Sequence, residues 1–262
     1  MNKKIVFFDI DGTLLDESTG TIPESCKKAL KLAQDNGHIL IVNTGRPVST
    51  IDTNITKIHF DGYICGCGTY IKYQKKTILH ATLSEKIRKE VIKQVFKCNV
   101  QAVLEGVEGA FFSKNITDPY ILKIKQTYNE QNSPTSEYGI HDVVEFDKMA
   151  VWYDETSDIK SFKSFLSQYF EIIQRDTNFI EIVPINYSKA TGIQYLIDYL
   201  GMDISQTISS GDSTNDLSML EYTQESVAMG NSNPILFDKV TYITTDVDKD
   251  GIYNALKHYQ II

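Results

Sequence analysis

The sequence predicts an α/β protein: a Rossmann-like, doubly wound parallel-sheet core interrupted by an inserted α+β domain. Three observations carry this. The chain begins with a short apolar strand that ends in acidic residues. Strand, helix and strand then follow with short links, which makes a βαβ unit with parallel strands. From about Thr82 the pattern changes to helices followed by paired strands without acidic ends, and near Pro184 it changes back.

At 262 residues the chain lies between one large domain and two small ones, and 42% hydrophobic with 23% charged residues is an ordinary globular composition. A formal net charge of −8 argues against nucleic acid as a ligand. No apolar run approaches the roughly 18 residues needed to span a bilayer, and no signal segment precedes the first strand. The expectation is a cytoplasmic protein with no membrane partner, a monomer or weak homodimer. The 4 cysteines, Cys26, Cys65, Cys67 and Cys98, form no metal-binding spacing and read as reduced and structural.

Ile5–Phe8 is apolar throughout, as a strand buried on both faces requires. It leads into Asp9-Ile10-Asp11-Gly12-Thr13, where period-two alternation points both carboxylates the same way. Gly12 lets the chain leave the sheet edge. Paired acids at the carboxyl end of a parallel strand sit where open α/β sheets bind ligands. Their repulsion must be relieved by a shared proton or a cation, and magnesium suits a hard oxygen site that a phosphate completes.

Pro23 opens a helix to about Asn36, with apolar marks at Cys26, Ala29, Leu30 and Ala33. Ile39–Val42 is the second strand. It runs into Asn43-Thr44-Gly45-Arg46-Pro47, which places the Thr44 hydroxyl and amide at the same edge as Asp9, with a helix expected from Pro47. Phe60–Cys65 reads as a third parallel strand. Gly66–Gly68 is a turn whose small residues either admit a substrate or only reverse the chain. Thr69–Tyr73 and Thr77–His80 then form a hairpin.

Within the insertion, helices are expected near 84–97, 118–128 and 158–169. Strands are expected near 100–105, 110–113, 149–153, 170–174 and 179–183, with Asn129–Gly139 as a polar loop. Lys189 then starts a helix that Gly201 stops. Gln206–Ser210 is the fourth core strand and ends in Gly211-Asp212-Ser213-Thr214-Asn215-Asp216. A short strand at 225–229, a helix from Pro234, a strand at 242–244 and a helix at 251–258 complete the chain.

The DxDGT, NTGRP, Lys189 and GDxxND segments, in this order, resemble the four motifs of the haloacid dehalogenase superfamily, mostly phosphatases with an aspartyl nucleophile. The resemblance implies a catalytic core of residues 1–81 and 186–262. It further implies an α/β cap, 82–185, inserted between the second and third motifs as in the Cof-like branch. Ala190 stands where many relatives have glycine. The implied chemistry is magnesium-dependent hydrolysis of a small phosphorylated metabolite, with Asp9 as nucleophile and Asp11 as general acid and base. Asp9, the Asp11 carbonyl and Asp212 would hold Mg2+. Thr44, Gly45, Lys189 and Asn215 would bind the phosphoryl group, and Asp216 would orient either Lys189 or a metal-bound water. The alternatives are a sugar phosphomutase on the same core and a non-catalytic sugar-phosphate-binding regulator.

Overall fold

The computed structural model describes residues 3–262. They group into two compact units. One comprises residues up to Gly45, Asn54–Leu79 and Ser188–Ile262, and the other comprises Arg46–Thr53 and His80–Tyr187.

Strand β1 (Ile5–Phe8) is wholly buried. Helix α1 (Glu24–Asp35) buries Cys26, Ala29, Leu30 and Ala33, the stripe its spacing dictates, and leads to β2 (Ile39–Asn43). The helix expected from Pro47 does not form. A 3-10 turn (Val48–Thr50) and the single-turn α2 (Thr53–Thr56) stand in its place. The Pro47 carbonyl takes both the Thr50 amide, at 3.1 Å, and the Thr50 hydroxyl, at 3.3 Å, so local side-chain bonding ends the helix after one tight turn.

After β3 (Gly62–Cys65), β4 (Tyr70–Tyr73) and β5 (Lys76–His80) are joined through Gln74 and Lys75, both at positive φ as a tight hairpin turn requires. In α3 (Glu85–Lys97), Ser84 caps the first turn. There follow β6 (Gln101–Gly106), β7 (Gly109–Ser113), α4 (Pro119–Glu130), β8 (Thr135–Tyr138), β9 (Lys148–Trp152), α5 (Ile159–Leu166), β10 (Phe170–Asp176) and β11 (Phe179–Pro184). Strand β8 lies inside the stretch read as a polar loop. It is an edge strand with Tyr138 as its one buried residue, so it carries too few apolar residues to show alternation.

Helix α6 (Lys189–Leu200) opens with a capping box of Ser188 and Thr191 and closes on left-handed Gly201. The chain ends through β12 (Thr207–Gly211), a 3-10 turn (Thr214–Asp216), α7 (Leu217–Tyr222), β13 (Glu225–Ala228), β14 (Tyr242–Ile243) and α8 (Gly251–His258). Pro234–Lys239, expected as an α-helix, is a 3-10 helix.

The first unit holds an eight-stranded sheet in the order β14-β13-β12-β1-β2-β3-β4-β5. From β14 to β3 every pair is parallel, and β4 is antiparallel to β3. The chain moves outward from β1 to β3, then returns to the other side of β1 at β12. The topological switch point therefore lies between β1 and β12, where doubly wound sheets bind their ligands. Ile5 and Phe7 pack with Ile193 and Leu196 of α6 and Met219 and Leu220 of α7. Val6 and Phe8 point to the opposite face, and α1 packs against α8.

The second unit holds a six-stranded sheet, β10-β11-β9-β6-β7-β8, antiparallel except for β7 with β8. Leu104, Met149, Val151 and Ile182 face Val91 and Val95 of α3 and Phe162 of α5. On the other face Val103, Phe112 and Trp152 pack against Ile121 of α4. Farther along that face Lys148 is buried beside Glu105, at 2.9 Å, and Glu181. Arg46–Thr53 belongs to this unit, with the Ser49 hydroxyl donating to the Gly106 carbonyl at 2.6 Å.

Candidate active site

Parallel register sets Phe8 of β1 beside Ser210 of β12, and the Asp9 amide continues the ladder to the Ser210 carbonyl at 3.0 Å. The residues that leave these strands, Asp9 and Asp212, thus emerge together at the switch point. Helix α6 supplies Lys189 in its first turn, and the side-chain Nδ2 of Asn43 at the end of β2 donates to the Lys189 carbonyl at 3.1 Å. The tight approach of α6 needs glycine in the turn after β3. A Cβ on Gly68, at φ +93°, would lie 2.3 Å from the Ser188 carbonyl oxygen.

The lysine ammonium is fully buried and lies 2.6 Å from Asp9 Oδ1 and 2.6 Å from Asp216 Oδ1. Burial alone would lower its pKa, but Asp216 and Asp9 outweigh that and hold it above the ordinary lysine range. The second oxygen of Asp216 accepts the amides of Asp212 and Ser213, each at 3.0 Å, so one carboxylate joins the fourth-motif turn to Lys189. Gly211 must be glycine here, because a Cβ would lie 2.5 Å from Asp216 Cγ. Asn215 accepts the Ser213 hydroxyl at 2.6 Å.

One oxygen each of Asp9, Asp212 and Asp216 lies within 4.8 Å of the others. Three carboxylates so close, with one ammonium among them, leave unbalanced negative charge. Burial pushes the Asp9 acid well up, with Asp216 adding to the effect and Lys189 opposing it. Burial and then Asp216 push Asp212 up to about 7, again against Lys189. Asp212 Oδ1 is buried and has no hydrogen-bond partner. An orphaned carboxylate oxygen in an all-oxygen cluster suits a hard divalent cation, so the residues present fit magnesium.

Asp9, Lys189, Asp212 and Asp216 are therefore brought into one cluster. Asp11, just beyond β1, is near enough to raise the pKa values of both Asp9 and Asp212 by its charge. Thr44 and Gly45 follow β2 at the same end of the sheet. The Thr44 amide, however, donates to the Ile64 carbonyl at 2.9 Å, so it is not the anion donor expected of it. The sequence reading passed over Asn43, whose signal was an amide closing an apolar strand. It also passed over Asn231, which donates to the Gly12 carbonyl at 2.8 Å and follows a strand in a Gly-Asn turn.

The sequence profile of haloacid dehalogenase-like hydrolases matches residues 6–256. The chain is 28% identical to YkrA of Bacillus subtilis (strain 168) over 262 residues, all of both chains. It is 25% identical to the 5-amino-6-(5-phospho-D-ribitylamino)uracil phosphatase YitU of the same organism, over 97% of each chain. Among solved structures, the HAD subclass IIB sugar phosphatase BT4131 superposes with a TM-score of 0.86 at 27% identity, covering 99% of this chain and 100% of that one. BT1666 from Bacteroides thetaiotaomicron superposes with a TM-score of 0.83 at 26% identity, covering 99% and 96%. With the profile spanning nearly its whole length, the chain belongs to the haloacid dehalogenase-like hydrolases.

Proposed function

We propose that this hydrolase cleaves small, hydroxylated phosphate monoesters, with Asp9 as the nucleophile and magnesium as cofactor. The observation that carries the reading is the buried contact of Lys189 with Asp9, at 2.6 Å, beside the orphaned carboxylate of Asp212 at the sheet's switch point. Sugar phosphates and ribityl phosphates are what BT4131 and YitU are named for, which supports a polyol-like leaving group.

An Asp9 oxygen attacks phosphorus while the bond to the leaving oxygen breaks, and Asp11 gives that oxygen its proton. Water then attacks the phosphorus of the aspartyl phosphate and passes a proton to Asp11. The bond from phosphorus to Asp9 breaks, which restores both residues. Lys189 binds an equatorial phosphoryl oxygen with Thr44, Gly45 and Asn215, and Asp216 keeps its ammonium aimed there. Asp9, Asp212 and the Asp11 carbonyl would hold magnesium, which when bound supplies the positive charge that offsets the phosphoryl dianion. The inserted segment, residues 82–185, is the part that distinguishes one leaving group from another.

The test is phosphate release from a panel of phosphorylated sugars, polyols and cofactors, with magnesium and with chelator. Asp9→Asn, nearly isosteric but not nucleophilic, should lose turnover by several orders of magnitude while keeping its fold. Substantial release by Asp9→Asn, or full wild-type release in excess chelator, overturns the reading.

A further inference from the structure

The turn after β13 fastens the two strand ends that form the switch point. The Met229 amide donates to the Gly211 carbonyl at 3.2 Å, and the Asn233 amide donates to the Asp212 carbonyl at 2.9 Å. Between them, Asn231 uses both ends of its side chain. Nδ2 donates to the Gly12 carbonyl at 2.8 Å, and Oδ1 accepts the Val247 amide at 2.8 Å. The same turn therefore grips the end of the first motif through a side chain and the start of the fourth through its backbone.

Gly12 matters because of what it touches. It sits at φ +71°, and a Cβ there would lie 2.3 Å from Asp212 Oδ2. The Gly12 backbone is thus the wall against which the Asp212 carboxylate rests. Moving Gly12 moves that wall, and with it the separation between Asp212 and the Asp9–Asp11 turn. Asn231 itself is solvent-exposed and contributes little packing, while the two backbone groups it satisfies belong to the buried residues Gly12 and Val247. Both of its bonds run to backbone, and its amide offers the donor and the acceptor on separate atoms across that gap, neither of which alanine supplies.

We propose that Asn231 is a positioning residue for the metal site: by holding the Gly12 carbonyl it fixes the spacing of the Asp9–Asp11 turn from Asp212 and so sets the affinity for a divalent cation. This rests on the metal-site reading above. Groups that orient ligands from behind commonly change metal affinity about 10–100-fold when removed. Magnesium, with its narrow tolerance for bond length and angle, is sensitive to such a displacement.

The experiment measures metal binding to the substrate-free full chain, magnesium by calorimetry and manganese by electron paramagnetic resonance. Asn231→Ala is compared with Thr244→Val, which removes a buried bond of 2.7 Å to the Gly251 carbonyl in the same region without touching Gly12. The expected result is binding weakened about 10-fold or more by Asn231→Ala, an altered manganese spectrum, and unchanged affinity in Thr244→Val. Equal affinity in Asn231→Ala and wild type overturns the positioning role and leaves the metal site standing. Absence of binding by the wild type overturns both. An Asn231→Ala protein without native circular dichroism, or equal losses in the two variants, shows Asn231 to be a fold residue and overturns the proposal.

Discussion

Replacing Lys189 by methionine separates what the buried lysine does for the fold from what it does for the chemistry. Methionine keeps most of the stem's packing and removes only the ammonium. In the wild type that group has no exposed surface and lies 2.6 Å from each of two carboxylates. Removing one partner of a buried ion pair costs about 3–5 kcal/mol, a large share of the 5–15 kcal/mol that typically holds a folded protein. At about 2–4 °C per kcal/mol for domains of this size, Tm in chelator should fall by about 6–20 °C. Asp9 loses the cation that opposes the effect of burial, so it takes up a proton more readily, which places the loss toward the lower end. Metal binding should move the other way. With Asp9 ionised, as a bound cation requires, the cluster is more negative by one charge, and a unit charge about 4 Å away is worth about 4 kcal/mol at an effective dielectric of 20. Magnesium should therefore raise the Tm of Lys189→Met more than that of the wild type, although turnover should be lost with the proposed phosphoryl clamp. Scanning calorimetry of both proteins, in chelator and across a magnesium titration, measures each quantity. An unchanged Tm in chelator, or a smaller magnesium shift in the variant, would refute the electrostatic account.

Three further outcomes follow from particular contacts. Gly12→Ala places a methyl 2.3 Å from Asp212 Oδ2; relief needs a shift of about 1 Å, which octahedral magnesium tolerates poorly. The left-handed backbone adds only about 1–2 kcal/mol, so calorimetry should show a folded protein with metal affinity largely lost, and wild-type affinity would contradict this. Lys148→Met leaves the buried Glu105 without its ammonium 2.9 Å away and should cost about 3–5 kcal/mol in urea unfolding; a loss below about 1 kcal/mol would show the cluster to be solvated. Asp147 has its acid pushed up to about 6 by burial, with His80 opposing. Its folded value exceeds its unfolded one, so its contribution to stability is full below about pH 4 and is lost as the pH rises through about 6. The Tm of Asp147→Asn relative to the wild type should therefore climb between pH 4 and 6 and level off above; a fall over that range would mean that the pairing with His80 outweighs burial.

The parts of the site carried by short-range signals are legible in the sequence. A buried parallel strand that ends in two acids places them at the sheet edge, and GDxxND opening a helical turn after a strand leaves its carboxylates at the same edge. Lys189 is legible only through the family resemblance, since a lysine at a helix start carries no signal of its own. Less of what depends on partners far along the chain was visible. The commitment of the Thr44 amide follows from the pairing of β2 with β3, and NTGRP alone does not show it. Strand β8 is polar because it is an edge strand, and its partner β7 lies on the far side of a helix. Lys148 reads as an ordinary polar start to β9 until Glu105 and Glu181 arrive from other strands. Asn231 shows only as a turn residue, since both of its acceptor and donor partners lie in other segments.

The central claim, that Asp9 becomes covalently phosphorylated, is tested most directly by trapping the enzyme in mid-turnover. Asp11→Ala lacks the base that activates water but needs no general acid when the leaving group is a good one, so it is mixed with p-nitrophenyl phosphate and quenched in acid. The peptide spanning Ile5–Leu15 is then analysed by mass spectrometry. The account predicts a phosphoryl group on Asp9, absent from Asp9→Asn treated alike. A phosphoryl group on any other residue, or steady turnover by wild-type enzyme with no labelled Asp9 at any quench time, would contradict it.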